Sequence, residues 1–245
     1  MRTVLVILAF IIYLLPVSLI LLPIAGILYL INKRLSQRFS TVCFRCFAHV
    51  AVGLSGVDLT VLGEENLPPK DEAVLFISNH RSDYDTPIFL HLTRGRLVGF
   101  VAKKEIKKVP VFGIWMKLIG CLFLDRSDVR QGLKVIMKVC DRIESGTSMW
   151  ICPEGTRSRS DEMLPFHEGS FKPAKKTGCF IVPVSIAGSA DMLENHMPWI
   201  RRTHVILEYG KPFRVTELSK EDQRAVGAYT HSVIEEMVKK NLAAL

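Results

Sequence analysis

Short apolar runs and amphipathic stretches alternate along most of the chain, after one much longer apolar block at residues 4–31. Alternating strand-like and helix-like segments predict an α/β domain whose sheet is mixed and largely parallel, flanked by helices. The predicted strands are 57–62, 73–78, 97–102, 121–124, 148–152, 180–186 and 204–209. The predicted helices are 127–144, 169–176 and 220–242.

The helix over residues 127–144 has the clearest helical pattern. Ser127 is a suitable N-cap, because serine oxygens accept hydrogen bonds from the free N–H groups of a first helical turn. Leu133, Ile136, Met137 and Cys140 recur at helical spacing and share one face.

The N-terminal apolar block has the length and composition of a membrane anchor. About 20 apolar residues cross a bilayer as a helix, whereas a cleaved signal peptide has an apolar core of about 7 to 15. We therefore predict a retained anchor. Pro16 and Pro23 lie near the middle of the block, so a straight span and a bent, re-entrant hairpin are both open. Lys33, Arg34 and Arg38 follow it and favour the cytoplasmic side for the remaining chain, at the inner membrane if the source is bacterial.

The segment after the anchor is amphipathic. An apolar stripe at helical spacing consists of Leu35, Phe39, Val42, Cys46 and Val50, and Arg34, Arg38 and Arg45 lie off it. The stripe fits packing onto the domain core, and it also fits an interfacial helix on anionic headgroups. We accordingly divide the chain into a membrane-anchoring and interfacial helical segment at residues 1–52 and a main domain at residues 53–245.

Charge and cysteine content restrict the partners. The formal net charge of +8 suits an anionic surface such as a phospholipid bilayer. Nucleic acid is also anionic, but the sequence has no zinc finger, aromatic-rich RNA motif or helix-turn-helix pattern, so we expect no nucleic-acid partner. The six cysteines show no paired framework and indicate free thiols in a reducing compartment. Cys43 and Cys46 alone do not predict a metal site.

A histidine and an aspartate directly follow the second predicted strand. A carboxylate that accepts from one nitrogen of His80 fixes its tautomer, so that the other nitrogen can take a proton from a hydroxyl. Asp85 suits this orienting role, and Asp83 competes with it. By itself the His80–Asp85 pair is weak evidence for catalysis, because aspartates on turns often cap helices and histidines often form hydrogen bonds with the backbone.

Three other predicted strands also end in polar residues. These are Lys103 after the third strand, Asp125 and Arg126 after the fourth, and Glu154, Gly155, Thr156 and Arg157 after the fifth. In open α/β sheets, ligands bind at the carboxyl ends of the strands. Gly155 permits a close backbone approach, Thr156 offers a hydroxyl, and the planar fork of Arg157 can bind two oxygens of an anion. Because a carboxylate repels an anion, we expect Glu154 to contact a substrate hydroxyl or to hold Arg157 or Arg126.

Together these blocks resemble the 1-acyl-sn-glycerol-3-phosphate acyltransferases, also called lysophosphatidic acid acyltransferases. The matching blocks are His-x4-Asp at 80–85, Gly-x-x-Phe-x-Asp-Arg at 120–126, Pro-Glu-Gly-Thr-Arg at 153–157 and Ile-Val-Pro-Val at 181–184. They occur in family order over roughly residues 57–210. Many relatives carry a basic residue in place of His167, which leaves the local role of this position open.

The resemblance implies a glycerolipid acyltransferase-like fold and an enzyme that forms phosphatidic acid in phospholipid synthesis. A fatty acyl group would pass from acyl-CoA or acyl-carrier protein to the free hydroxyl of 1-acyl-sn-glycerol-3-phosphate. The alternatives are another lysophospholipid or glycerol-3-phosphate as acceptor, or a non-catalytic lipid-binding membrane protein.

The implied site comprises His80 as general base and Asp85 as its orienter. Its implied substrate-binding residues are Glu154, Gly155, Thr156, Arg157, Arg126 and Lys103. The acyl thioester is a substrate, so no cofactor and no metal are expected. The chain has no Gly-x-Ser-x-Gly elbow, which favours direct attack by the acceptor over an acyl-serine route. An apolar stretch with Phe112, Trp115 and Met116 either flanks an acyl tunnel or belongs to the core.

Overall fold

The computed structural model describes residues 1–93, 95–125, 128–160 and 162–245. The helices in these residues are α1 (Arg2–Ile12), α2 (Ser18–Ile31), α3 (Lys33–Ser55), α4 (Asp85–His91), α5 (Phe112–Leu118), α6 (Val129–Glu144), α7 (Lys172–Thr177), α8 (Lys220–Arg224) and α9 (Val226–Leu242). The strands are β1 (Asp58–Leu62), β2 (Leu75–Ser78), β3 (Val98–Lys103), β4 (Leu122–Leu124), β5 (Ser148–Ile151), β6 (Ile181–Ala187) and β7 (His204–Tyr209).

The strands form one mixed sheet in the order β1-β7-β6-β2-β5-β3-β4. Strands β6, β2, β5, β3 and β4 run parallel to one another. Strand β7 is antiparallel to β6, and β1 is parallel to β7. This confirms the predicted fold class, and all seven predicted strands are present. The carboxyl ends of the five parallel strands meet at one edge of the sheet.

The predicted helices differ from the observed ones mainly at their ends. The side chain of Asp128 caps α6 by accepting a hydrogen bond from the Gln131 N–H at 3.0 Å. The predicted cap, Ser127, lies outside the described residues. The helix predicted at 220–242 is interrupted at Ala225 and forms α8 and α9. The helix predicted at 169–176 forms as the 3₁₀ turn Glu168–Phe171 followed by α7.

Helices cover both faces of the sheet and produce two hydrophobic clusters. On one face, Phe44 of α3, Ile88 of α4 and Trp115 of α5 are buried. On the other face, Val139 of α6 and Ile234 of α9 are buried, together with Ala174 of α7. Of the two roles predicted for the stretch at 112–116, an acyl tunnel or the core, Trp115 and Met116 therefore have the core role.

Helices α1 and α2 are continuous through a π-helical turn at Tyr13–Val17. Pro16 lies in this turn and Pro23 lies inside α2, and the backbone stays helical through both. The chain reverses instead at Asn32, which has an extended backbone and whose side chain caps α3. Of the two geometries left open by the sequence, the structure has a helix without reversal at the prolines, and α1 and α2 together pair with α3.

One side of this long helix is docked on the rest of the protein. The Ser18 hydroxyl accepts a hydrogen bond from the Trp115 indole N–H at 2.8 Å and donates to the Tyr13 carbonyl at 2.7 Å. The Ser36 hydroxyl of α3 donates to the Ala25 carbonyl at 2.8 Å. Tyr13 also shares a hydrophobic cluster with the sheet. The N-terminal helices thus pack against the main domain.

The opposite side of the long helix is apolar and exposed. Residues 2–31 are long enough to cross a membrane, and their most apolar 18-residue window has a mean hydropathy of 3.0 and is only 11% buried. Leu35, Val42 and Val50 of the predicted α3 stripe are exposed as well, whereas Phe44 and Ala48 face the core. The stripe therefore does not pack onto the core. These exposed apolar surfaces indicate membrane association.

Candidate active site

His80 and Asp85 form a hydrogen-bonded pair at the carboxyl end of β2. The distance between His80 Nδ1 and Asp85 Oδ2 is 2.9 Å. Asp85 is the first residue of α4 and is fully buried, and its Oδ2 also accepts the N–H groups of Arg81 and Ser82, both at 2.8 Å. The His80 side chain is 19% exposed, and its Nε2 has no hydrogen bond to the described residues. Asp85 can therefore fix the tautomer that leaves Nε2 open to a substrate proton.

Asp83 points away from His80. Its side chain is 62% exposed, and its Oδ2 lies 2.7 Å from Nη1 of Arg157. Within the described residues, no side chain caps α4. Of the two candidate orienting residues, only Asp85 contacts the histidine, and Asp83 forms an ion pair with Arg157 instead.

Glu154 connects the two motif loops through the backbone. Its Oε1 accepts the His80 N–H at 2.7 Å, and its Oε2 accepts the Leu164 N–H at 2.9 Å. The Ser158 N–H donates to the His80 carbonyl at 2.9 Å. Glu154 is only 4% exposed, and burial raises the pKa of its carboxyl. Since both oxygens are bound to backbone, we revise its predicted substrate contact to a role in positioning His80.

Two carboxylates hold Arg157. Besides Asp83, its Nη1 contacts Glu194 Oε1 at 2.9 Å. Glu194 also accepts the Asp83 N–H at 2.7 Å. It lies in the loop between β6 and β7, and no sequence motif marked it. Both carboxylates contact Nη1, so a phosphate could bind through the other N–H groups of the guanidinium or replace one of the carboxylates.

Gly155 requires its small size for two reasons. Its φ of +71° lies in the left-handed region, and a Cβ there would lie 3.3 Å from the His167 ring. The His167 N–H donates to the Pro153 carbonyl at 3.0 Å. His167 thus packs against the 153–157 loop, which gives this position a structural role. Thr156 is exposed beside it.

The other predicted anion-binding residues are less closely tied to this site. Lys103 ends β3 with its side chain 55% exposed, and its ammonium lies 3.8 Å from Glu105. Within the described parts of the chain it forms no hydrogen bond or ion pair with the His80 or Arg157 loops. Lys104 pairs with Asp125, and this hydrogen bond raises the pKa of the Lys104 ammonium. Arg126 lies outside the described residues. Binding by Lys103 and Arg126 stays a prediction.

A cavity of about 540 Å³ adjoins the 153–157 loop. Its apolar wall comes from the ends of β3, β4 and β5 and from α6, and it includes Val101, Ala102, Leu124, Leu133, Ile136 and Ile151. Its polar end includes Glu154, Gly155 and Thr156. The predicted apolar face of α6 lines a second groove against α7, whereas Val135 and Val139 face the core. That face therefore lines both the cavity and the adjoining groove, and of its four residues Cys140 is buried.

A histidine–aspartate pair beside an apolar cavity suits an enzyme that transfers apolar acyl groups, and comparison with known proteins agrees. The acyltransferase family model matches residues 58–187. A 1-acyl-sn-glycerol-3-phosphate acyltransferase from Saccharomyces cerevisiae is 34% identical over 79% of this chain and 63% of its own length. One from Haemophilus influenzae is 31% identical over 71% of this chain and 73% of its own length. The chain belongs to the acyltransferase family.

The fold also matches a solved structure. The 1-acyl-sn-glycerophosphate (LPA) acyltransferase PlsC from Thermotoga maritima aligns with a TM-score of 0.80, over 98% of this chain and 95% of that one. The identity is 21%, so this likeness shows the fold alone. The chain spans less than two thirds of several curated relatives, including 63% of the yeast protein and 47% of one from Chlamydomonas reinhardtii.

Proposed function

We propose that the protein transfers a fatty acyl group from an acyl thioester to the free hydroxyl of 1-acyl-sn-glycerol-3-phosphate, forming phosphatidic acid. The observation that carries this proposal is the 2.9 Å bond between His80 and buried Asp85, which leaves Nε2 open. The names of the relatives from yeast and Haemophilus influenzae support the choice of acceptor.

In the proposed reaction, His80 Nε2 takes the proton of the acceptor hydroxyl while the hydroxyl oxygen attacks the carbonyl carbon of the thioester. The carbon–sulfur bond then breaks, and His80 returns the proton to the leaving sulfur, which departs as a free thiol. Asp85 keeps Nδ1 protonated and stabilises the imidazolium formed in between. General-base catalysis of this kind contributes about 10²- to 10⁴-fold.

Arg157 is the proposed ligand of the acceptor phosphate. It is one third exposed, and it lies one residue after the exposed Thr156. Phosphate is a stronger and more highly charged partner than either carboxylate, and it can engage two guanidinium N–H groups. The acceptor phosphate would therefore bind through Nε and Nη2, or displace Asp83 or Glu194 from Nη1.

The apolar cavity is the proposed site for the acyl chain of the donor. Its polar end is formed by the same loop that positions His80, so a chain lying in the cavity would present its thioester at this edge of the sheet. Acyl-CoA and acyl-carrier protein both supply such a chain, and the protein needs no further cofactor for this chemistry.

Replacing Gly132 with leucine tests the cavity. Gly132 lines it from α6, and among the described residues a Cβ there would meet Leu124 alone, at 3.8 Å, so a side chain can enter the cavity. We expect kcat/KM for the longest accepted donor to fall about 10- to 200-fold, with short donors spared, since one methylene in an apolar pocket has this effect. The measurement is kcat/KM across a series of chain lengths.

The control for this variant is Gly53→Leu, because Gly53 is also helical, has open space around it and lies outside the cavity. A Gly132→Leu enzyme that loses activity equally for all chain lengths would place the acyl chain elsewhere.

We further propose that the protein lies on the cytoplasmic face of a membrane, the inner membrane in a bacterium. The exposed side of α1 and α2 and the α3 stripe would enter the apolar layer. Because Ser18 and Tyr13 are tied to the main domain, the long helix would lie against the bilayer and not cross it alone. Lys33 and Arg38 after the block support the cytoplasmic orientation.

Incubation of purified protein with lysophosphatidate and either donor tests the proposed reaction. We expect a product with the mass of phosphatidic acid and one free thiol per product, with both lost in His80→Ala. Glycerol-3-phosphate and lysophosphatidylcholine serve as competing acceptors. Preferential acylation of one of these would contradict the acceptor, and absence of thiol release with every acceptor would leave the non-catalytic lipid-binding alternative.

A further inference from the structure

The segment between β6 and β7 exposes a cluster of residues that no step of the reaction uses. In this segment, residues 193–202, Met197 is 61% and Trp199 is 58% exposed. Arg201 and Arg202 follow and are also exposed, without an ion pair to the described residues. Aromatic and basic side chains in this combination are typical of the headgroup region of a membrane, where tryptophan has an apolar body and a polar N–H and arginine meets lipid phosphates.

The 193–202 segment is joined to the proposed membrane-facing helix. The Ile200 N–H donates to Thr3 Oγ1 at 2.8 Å, and Thr3 is buried at the start of α1. Val4, directly after Thr3, and Ile7, one turn further along α1, are among its exposed apolar residues. The exposed side chains of the segment therefore adjoin the apolar surface of α1.

The same segment reaches the candidate active site through its other end. Glu194 contacts Arg157 at 2.9 Å and accepts the Asp83 N–H at 2.7 Å. Four residues separate Glu194 from Trp199 along the chain. At the base of the segment, the Arg201 N–H donates a hydrogen bond to the Met192 carbonyl at 2.9 Å. A membrane contact at Trp199 therefore lies only a few residues from Glu194, which holds the Arg157 guanidinium that would bind a phosphate.

We propose that the 193–202 segment is a second membrane contact, in which Met197 and Trp199 enter the headgroup layer of an anionic bilayer and Arg201 and Arg202 bind its phosphates. The contact places the Glu194–Arg157 pair at the membrane surface, where a lipid acceptor presents its phosphate while its acyl chain stays in the bilayer. This inference rests on the proposed membrane attachment, and it is independent of acyl transfer.

Tryptophan fluorescence on brominated vesicles tests this contact directly. The other two tryptophans, Trp115 and Trp150, are 0% and 4% exposed, so Trp199 is the one within reach of lipid. Full-length protein is bound to phosphatidylglycerol-containing vesicles with and without bromine on the acyl chains, and binding is verified by flotation. We expect quenching in the wild type that is lost in Trp199→Phe.

Two further variants make the test specific. Leu242→Trp in the Trp199→Phe background puts an exposed probe at the end of α9, on the other face of the sheet, and should stay unquenched. Replacing Arg201 and Arg202 with glutamine should weaken attachment of the segment about 30-fold while flotation persists, because each basic residue near an anionic surface contributes about 5-fold.

Unquenched Trp199 on protein that floats would overturn the second contact while leaving the attachment through α1 and α2 intact, and it would mark the segment as a surface for another protein. Protein that does not float would contradict the proposed attachment and this inference together.

Discussion

Replacing Asp85 with asparagine is expected to lower kcat about 10⁴-fold in a protein that remains folded. The amide oxygen can still accept the backbone N–H groups of Arg81 and Ser82 that Asp85 Oδ2 now accepts at 2.8 Å. Since Asp85 Oδ2 also contacts His80 Nδ1, the amide places one of two groups there. An oxygen at this position carries no charge to stabilise the imidazolium, and an NH₂ selects the wrong tautomer and faces the two backbone donors. The same change in the serine-protease triad costs about 10⁴-fold. Turnover is measured after circular dichroism confirms folding.

The matched control is Asp83→Asn, two residues away in the same turn. Asp83 is exposed and pairs with Arg157, and an exposed ion pair contributes about 0 to 1 kcal/mol, so activity should change less than about fivefold. A severe loss in Asp83→Asn together with an active Asp85→Asn would reverse the assignment. Full activity in His80→Ala would refute the general-base mechanism itself.

The sheet and the position of the active site follow from local sequence patterns. Short apolar runs separated by amphipathic stretches define the strands, and the parallel sheet then brings their polar ends to one edge. This is why His80, Asp85 and the 153–157 loop were found from the sequence. The family resemblance supplied their order and the choice of Asp85, which the hydrogen bond to His80 supports.

Periodicity indicated which residues share a helix face but not what that face contacts. Leu133 and Met137 of α6 share a face that lines a groove, while Val135 and Val139 fill the core. Likewise, the apolar stripe of α3 faces outward, while Phe44, Ala48 and Val52 on another face of the helix pack in the core. On both helices two faces carry apolar residues, and only the packed structure shows which one is buried.

The contacts of Arg157 could not be predicted from the sequence, for a different reason. Glu194 lies 37 residues after Arg157 in a loop of irregular structure, and nothing local marks a carboxylate there. The backbone contacts of Glu154 could not be predicted either, because a carboxylate beside an anion site suggests a substrate or arginine partner, whereas both of its oxygens accept backbone N–H groups. Such contacts depend on how loops from distant strands meet.

Replacing Arg157 with lysine is expected to lower kcat/KM for lysophosphatidate about 10- to 100-fold, mainly through a higher acceptor KM. Lysine keeps the positive charge but loses the planar fork, and charged hydrogen bonds of this kind contribute about 1.5 to 3 kcal/mol each. The lysine ammonium can still pair with Asp83 or Glu194, so the carboxylates compete with the phosphate more effectively than in the native protein. The KM of each substrate is measured in the variant.

Arg159→Lys is the control for this change, because Arg159 is exposed two residues further on. It should leave both KM values unchanged, since a solvated arginine and a solvated lysine present the same charge. If Arg157→Lys raises the donor KM and leaves the acceptor KM unchanged, Arg157 binds the thioester substrate, and the acceptor phosphate must be bound by other basic residues at this edge of the sheet, among which Lys103 is the next candidate.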